Sequence, residues 1–283
     1  MTKRPISIQD LKNVHWISDP QFSLQGEQIL YVQKQVNPAD ATKYTTQIWV
    51  VSAKDEPKLL SGENISNSTP RWSPCSETIA FVSPRSGSNQ IWLLPCNGGE
   101  ATQLTKFKRP LNLIDWSPCG SKLLVSCKCK PSDFQADSRE TSDVKVITKL
   151  RYKLNGAGFH DDRYTHLFVV DAKTGETTQI THGDFDHGSA SWSPCGTKVL
   201  FAAKRYEDAD YVQYNDLYTV ELSSGDIEQI TSVEGQYSSP AYSPDGKWIA
   251  YFGHLQESGP GSFSKLYRMP ATGGATSVDQ PRF

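Results

Sequence analysis

One hairpin unit recurs along this chain and constrains its fold more than any other feature. Its clearest copy is Ser191-Trp192-Ser193-Pro194-Cys195-Gly196, which runs on into Lys198-Val199-Leu200-Phe201. Earlier copies are Trp72-Ser73-Pro74-Cys75, leading to Ile79-Ala80-Phe81, and Trp116-Ser117-Pro118-Cys119-Gly120, leading to Leu123-Leu124-Val125. A later copy is Tyr242-Ser243-Pro244-Asp245-Gly246, before Trp248-Ile249-Ala250-Tyr251. A degenerate first copy is Phe22-Ser23-Leu24-Gln25-Gly26, before Ile29-Leu30-Tyr31. In each, an aromatic residue ends one strand, Ser-Pro-x-Gly makes a turn and an apolar run starts the next strand. Proline presets φ at the second turn position and glycine suits the last.

A third strand follows each hairpin (Gln47-Ile48-Trp49-Val50-Val51, Gln90-Ile91-Trp92-Leu93-Leu94, Leu167-Phe168-Val169-Val170, Asp216-Leu217-Tyr218-Thr219-Val220, Lys265-Leu266-Tyr267-Arg268-Met269). A fourth follows that, ending in Ser61, Thr105, Thr181 or Thr231. In the second unit Asn97-Gly98 is a tight-turn signal between the third and fourth strands. Two independent markers keep one register. The aromatic residues Trp72, Trp116, Trp192 and Tyr242 are separated by 44, 76 and 50 residues, and so are Ser61, Thr105, Thr181 and Thr231. A four-stranded unit of about 40–50 residues is the signature of a propeller blade. The expected fold is an all-β propeller with about five four-stranded blades, over residues 15–62, 67–106, 110–182, 186–232 and 237–278. Residues 1–14 read as a lead-in with a helical turn near Ile8–Leu11, and 279–283 as a tail. The tail region from Ser277 does not repeat the Gln-Leu-Thr pattern of the other fourth strands. The third unit carries an insert over about 130–165. Long loops on a rigid scaffold are where function concentrates; the alternative is a solvated excursion.

Composition narrows the function classes. The chain has 283 residues, with 29 Lys+Arg against 31 Asp+Glu and a net charge of −2. That balance gives no basic surface for nucleic acid and no polybasic membrane patch. No apolar run is long enough to span a bilayer, and the N-terminus has no apolar signal region, so a cytoplasmic location is expected. The six cysteines read as reduced thiols. Three occupy repeat-equivalent turns, and Cys127-Lys128-Cys129 puts two on one face of a strand.

The residues also resemble a known family. The Trp-Ser-Pro-x-Gly turns, the Gly-Gly-Glu and Gln-Ile-Thr segments, and Arg151-Tyr152-Lys153-Leu154-Asn155-Gly156-Ala157-Gly158-Phe159 leading into His166-Leu167-Phe168-Val169-Val170-Asp171 are similar to the propeller of the prolyl oligopeptidase (S9) serine peptidases, acylaminoacyl-peptidase-like branch. So is Gln179-Ile180-Thr181-His182-Gly183-Asp184-Phe185-Asp186-His187. The blade repeats alone are shared with TolB-like propellers. The resemblance implies seven blades followed by an α/β-hydrolase domain with a serine, an acid and a histidine. This chain contains no Gly-x-Ser-x-Gly elbow. Gly259-Pro260-Gly261-Ser262 has the wrong spacing. The expectation is therefore a partial member of the family, a non-catalytic propeller that gates peptide access to a hydrolase domain absent from this chain. No catalytic residue, metal or cofactor is expected. The expected partners are short peptides, the missing hydrolase domain and, through the open faces of an incomplete ring, other copies or proteins. The competing reading is a TolB-like or scaffold propeller that binds another protein.

Three insert residues are candidates for binding substrate: Arg151, Tyr152 and Arg163. A guanidinium there can clasp a peptide carboxylate bidentately. The plainer reading pairs such an arginine with Asp161 or Asp162. His182, Asp184, Asp186 and His187 have the composition of a metal site but lie in a connection that is polar anyway. Glu207-Asp208-Ala209-Asp210 reads as a solvated loop, and Trp72, Trp116, Trp192 and Tyr242 as packing between blades.

Overall fold

The computed structural model describes residues 4–62, 65–96, 99–134, 144, 146–147, 149–150, 152–156, 158–207, 209–212, 214–255, 262–274 and 277–278. It is nearly all β, with five four-stranded sheets. The first sheet contains Trp16–Phe22 (β1), Gln28–Val36 (β2), Tyr44–Ser52 (β3) and Lys58–Leu59 (β4). The second contains Ser68–Trp72 (β5), Thr78–Ser83 (β6), Gln90–Pro95 (β7) and Thr102–Gln103 (β8). The third is built from Leu111–Trp116 (β9), Lys122–Cys129 (β10), Tyr164–Asp171 (β13) and Thr177–Gln179 (β14). Between β10 and β13 the insert forms a separate small hairpin, Lys153–Leu154 (β11) with Gly158–Phe159 (β12). The fourth sheet is His187–Trp192 (β15), Lys198–Ala203 (β16), Asp216–Glu221 (β17) and Ile227–Gln229 (β18). The fifth is Gly235–Tyr242 (β19), Trp248–Leu255 (β20), Lys265–Pro270 (β21) and Ser277–Val278 (β22). The lead-in turn is a 3-10 helix over Ile8–Asn13. The Asn97-Gly98 turn falls outside the described residues.

The chain divides into two compact units, residues 1–116 with 172–175, and residues 117–171 with 176–283. In the first, Leu30 and Ile48 of the first sheet pack with Ile79 and Phe81 of the second. In the second, Leu200, Ala202 and Leu217 of the fourth sheet pack with Ile249, Tyr251, Tyr267 and Met269 of the fifth. Each core is a face-to-face layer of alternate strand residues, as period-two alternation requires.

The repeated sequence motifs each have a bonding role. In all five hairpins the turn serine accepts a backbone N–H from the start of the next strand: Ser23 from Gln28 (3.2 Å), Ser73 from Thr78 (3.1 Å), and Ser117, Ser193 and Ser243 from Lys122, Lys198 and Trp248 (3.0 Å each). The closing glycines Gly120, Gly196 and Gly246 donate to Ser117, Ser193 and Ser243 at 2.9 Å and sit at φ of +70 to +71°. The fourth-strand hydroxyls reach back to the third strand. Ser61, Thr105, Thr181 and Thr231 accept the N–H of Ile48, Ile91, Leu167 and Leu217 at 2.9–3.1 Å. The glutamine two places before each threonine donates to that threonine's carbonyl (Gln103, Gln179 and Gln229, at 2.7, 2.8 and 3.0 Å). This explains why fourth strands of only two or three paired residues still hold. The fifth sheet lacks the motif, yet Ser277 and Val278 pair with Arg268 and Tyr267. The failed pattern at Ser277 therefore did not mean a missing strand, because an edge strand needs only the free main-chain groups of its neighbour.

Candidate functional site

A cavity of about 1020 Å³ lies within the second unit. Its walls come from the end of the insert, the β14–β15 connection, the β16–β17 connection and the near ends of β19 and β20. Tyrosines dominate the wall: Tyr164, Tyr206, Tyr211, Tyr214 and Tyr237. Such rings offer apolar faces with a hydroxyl at the rim.

Hydrogen bonds fix these walls. Asn215 accepts the Tyr237 N–H (2.6 Å) and donates to the Tyr237 carbonyl (2.9 Å). The Tyr237 hydroxyl donates to the Val233 carbonyl (2.6 Å). Tyr206 packs edge-on to Tyr214 at 4.8 Å and donates its hydroxyl to the Asp216 carboxylate, which also accepts from Thr231 (2.6 Å). Burial raises the pKa of both Tyr206 and Asp216; the Asp216 carboxylate raises that of Tyr206 further, while the hydrogen bonds donated by Thr231 and Tyr206 oppose the rise at Asp216. The insert is tied to the same wall by the Leu150 N–H donating to Asp210 (2.9 Å). Lys149 bonds the Tyr164 hydroxyl, lies 4.6 Å from the ring centre and stands 3.9 Å from Asp184. Lys204 donates to the Val212 carbonyl (2.6 Å). Tyr211 is 76% exposed at the mouth. The arrangement can hold an extended amide chain between rings and hydroxyls. Among the described residues there is no group of three histidine, cysteine or acidic side chains placed to hold a metal ion.

Of the sequence candidates, Tyr152 and Arg163 are not among the residues that line this cavity. Arg151 lies outside the described residues. Tyr152 is on the insert hairpin, half exposed beside Phe159 (ring centres 6.3 Å apart), and lines a separate pocket of about 30 Å³. Arg163 clasps Asp133 with Nε and Nη2 (2.9 and 2.8 Å) and gives Nη1 to Asp161 (2.6 Å). Its fork thus braces the base of the insert, which matches the pairing with Asp161 and adds Asp133. The Glu207–Asp210 stretch, read as a solvated loop, contributes Glu207, Ala209 and Asp210 to the cavity wall; Asp208 lies outside the described residues. Sequence reasoning passed over the one available signal, the spacing of Tyr206, Tyr211 and Tyr214 in a β16–β17 connection of twelve residues, more than twice the usual hairpin length.

The His182–His187 stretch is used structurally. His187 is fully buried, with Nδ1 3.1 Å from the Thr165 carbonyl and Nε2 2.9 Å from Arg205 Nη1. A guanidinium only donates, so Nε2 accepts and Nδ1 carries the proton given to Thr165. Asp186 accepts the Thr165 N–H (2.7 Å). Among the described residues no helix is long and apolar enough to cross a membrane.

Residues 134–275 match the family described as the N-terminal β-propeller domain of acylaminoacyl-peptidase. The chain belongs to that family. The matched segment contains every residue that lines the large cavity. A curated relative, the uncharacterized peptidase YuxL of Bacillus subtilis (strain 168), is 32% identical over 214 residues, covering 74% of this chain and 32% of the relative. The chain thus spans about a third of that relative's length. The acylaminoacyl peptidase of Pyrococcus horikoshii superposes with a TM-score of 0.72 at 20% identity, covering 95% of this chain and 40% of that one. A putative TolB from Agrobacterium tumefaciens superposes at 0.63 with 17% identity, covering 93% and 80%. These two likenesses establish the propeller fold.

Proposed function

We propose that this chain is the non-catalytic propeller of an S9 serine oligopeptidase of the acylaminoacyl-peptidase type. It receives short peptides and restricts what reaches a hydrolase domain carried on a longer polypeptide. The observation that carries the reading is the tyrosine-walled cavity of about 1020 Å³ lying wholly within the family-matched segment. A cavity of that size admits a few residues of extended chain and excludes a folded domain.

The test is calorimetric titration of the 283-residue chain with N-acetylated and free-amine peptides of two to six residues. The expected result is binding that weakens at least tenfold in Tyr211→Ala, with no hydrolysis. In the longer gene product, Tyr211→Ala should raise KM for acyl-peptides and leave kcat within twofold. Absence of peptide binding, or of peptide hydrolysis in the longer product, would reject the proposal. A second reading, a TolB-like scaffold that binds another protein, is favoured by the 93% and 80% coverage of the TolB likeness. It predicts a stable protein partner and no response to short peptides.

A further inference from the structure

Two arginines hold the same place in two repeats. Arg85 and Arg205 each stand 24 residues after the marker hydroxyl that ends the preceding repeat, Ser61 and Thr181. Each guanidinium lies over an aromatic residue of its sheet's third strand. Arg85 is 4.7 Å from the ring centre of Trp92 and 5.3 Å from that of Phe81, its cross-strand partner. Arg205 is 5.9 Å from the ring centre of Tyr218, the cross-strand partner of Phe201. Each also reaches back to the start of the first strand. Arg85 Nη2 donates to Asn67 Oδ1 (3.3 Å), and Arg205 Nη1 donates to His187 Nε2 (2.9 Å).

Beyond that the two differ. Arg205 also donates to the His182 carbonyl (3.2 Å) and has the Phe185 ring centre 5.3 Å away. Gly62 holds the place of His182 in the other repeat. Among the described residues Arg85 has no bond to the Gly62 carbonyl and no carboxylate partner. Arg85 and Gly62 instead line a cavity of about 250 Å³ within the first unit, with Leu60, Phe81, Leu94 and Ala101 as apolar wall. Arg85 Nε donates to Ser83 Oγ (3.0 Å) and one Nη2 N–H is taken by Asn67. The Nη1 group and the second Nη2 N–H are left over, and neighbouring guanidinium nitrogens of this kind clasp a carboxylate with two parallel bonds. The side chain is half-buried, and burial holds its pKa below the usual arginine value. A charge so shielded is stabilised by an anion brought to it. Glu100, exposed on the same wall, selects against a ligand with a second negative charge, such as phosphate.

We propose that this cavity between the first and second sheets binds a monocarboxylate that carries one apolar side chain. Arg85 clasps the carboxylate, and the apolar group lies against Leu60, Phe81 and Leu94. The cavity is smaller than a peptide-sized pocket and suits a body of about one acylated amino acid. That chemistry is offered by a free acid or by the last residue of a peptide. The site lies in the other unit from the tyrosine-walled cavity and does not rest on the peptidase reading.

Calorimetric titration of the 283-residue chain with N-acetyl-leucine tests this. The expected result is binding in the millimolar range that is lost with N-acetyl-leucinamide, which has the same side chain and no charge. Arg85→Met keeps an apolar stem over the rings and should weaken the binding at least tenfold. Ala101→Leu keeps the guanidinium, fills the cavity and should do the same; thermal melts select the folded variants. Acetyl-Ala-Ala-Leu separates the two sources, read from the part of its binding that Arg85→Met removes. An affinity equal to that of N-acetyl-leucine assigns the site to a peptide end, and a tenfold weaker one assigns it to a free acid. No binding of N-acetyl-leucine, equal binding of the amide, or binding that survives in either folded variant would overturn the proposal.

Discussion

Cys119 and Cys195 occupy the third position of equivalent Ser-Pro-Cys-Gly turns, and each thiol sits between two hydroxyls. Cys195 Sγ is 3.3 Å from Ser193 Oγ and 3.2 Å from Thr197 Oγ1, and Cys119 Sγ is 3.4 Å from Ser117 Oγ and 3.0 Å from Ser121 Oγ. These bonds favour the thiolate and lower both thiols to about 7. Cys96 is pushed up to about 11, first by burial and then by Cys75 and Glu77. The thiolate is the reactive form. Alkylation by iodoacetamide at pH 7 should therefore modify Cys119 and Cys195 first, with half-maximal rates near pH 7, and Cys96 far more slowly; peptide mass mapping reads the order. His187 gives a second prediction at this scale. Burial, helped by His166 and Arg205 and opposed by the Thr165 carbonyl, holds its pKa down to about 4. The unfolded chain binds the proton more tightly, near pH 6.5, so the folded state is favoured above that value and loses stability as pH falls through 4. The loss is on the order of 3 kcal/mol. Urea titrations at pH 7 and pH 4 should show it, and His187→Gln should flatten it.

The elements depend on side chains that bond to neighbouring backbone. Indole N–H groups tie successive sheets together, from Trp72 to the Gln21 carbonyl (3.2 Å) and from Trp116 to the Arg71 carbonyl (3.0 Å). Arg71 adds an ion pair to Asp19 (2.8 Å) and a bond to the Ile114 carbonyl (3.0 Å). The tryptophans are thus packing and bonding groups between sheets. In the insert, the Arg163 clasp on Asp133 is well shielded from water. Losing one partner of such a pair leaves a poorly solvated charge, at about 3 kcal/mol. Arg163→Ala should lower the melting temperature and hasten tryptic cleavage within 130–165. Arg163→Lys should rescue little, because an ammonium cannot span both carboxylate oxygens and Asp161 together.

At the scale of the whole molecule, stability should propagate from sheet to sheet, as in other repeat architectures. A chain ended before Gly235 would uncover Leu200, Ala202, Leu217 and Ile230, which are buried against the fifth sheet in the complete core. Each large aliphatic side chain returned to water costs about 2 kcal/mol. Such a truncation should bind a hydrophobic dye strongly and melt well below the 283-residue chain, and an equal melting temperature would show that the sheets are energetically independent.

The sequence by itself determined the five hairpins, their order and the four-stranded unit. These rest on local chemistry: proline and glycine limit φ, serine and threonine hydroxyls reach backbone groups a few residues away, and strand residues alternate. Tertiary structure alone decided the bulges in β1, β5, β15 and β19, where Asp19, Thr69, Ser189 and Ser239 adopt φ between +46 and +52°. None is a glycine, so nothing in the residue type announces the turn of the backbone; the packing of neighbouring sheets imposes it. The cavity was likewise set by assembly. Tyr206 lies in the β16–β17 connection, Tyr237 on β19 of the next sheet, and Lys149 in an insert whose sequence shows no strand period. Only the folded chain brings such distant residues to one wall, and only it assigns Arg163 to Asp133, thirty residues away.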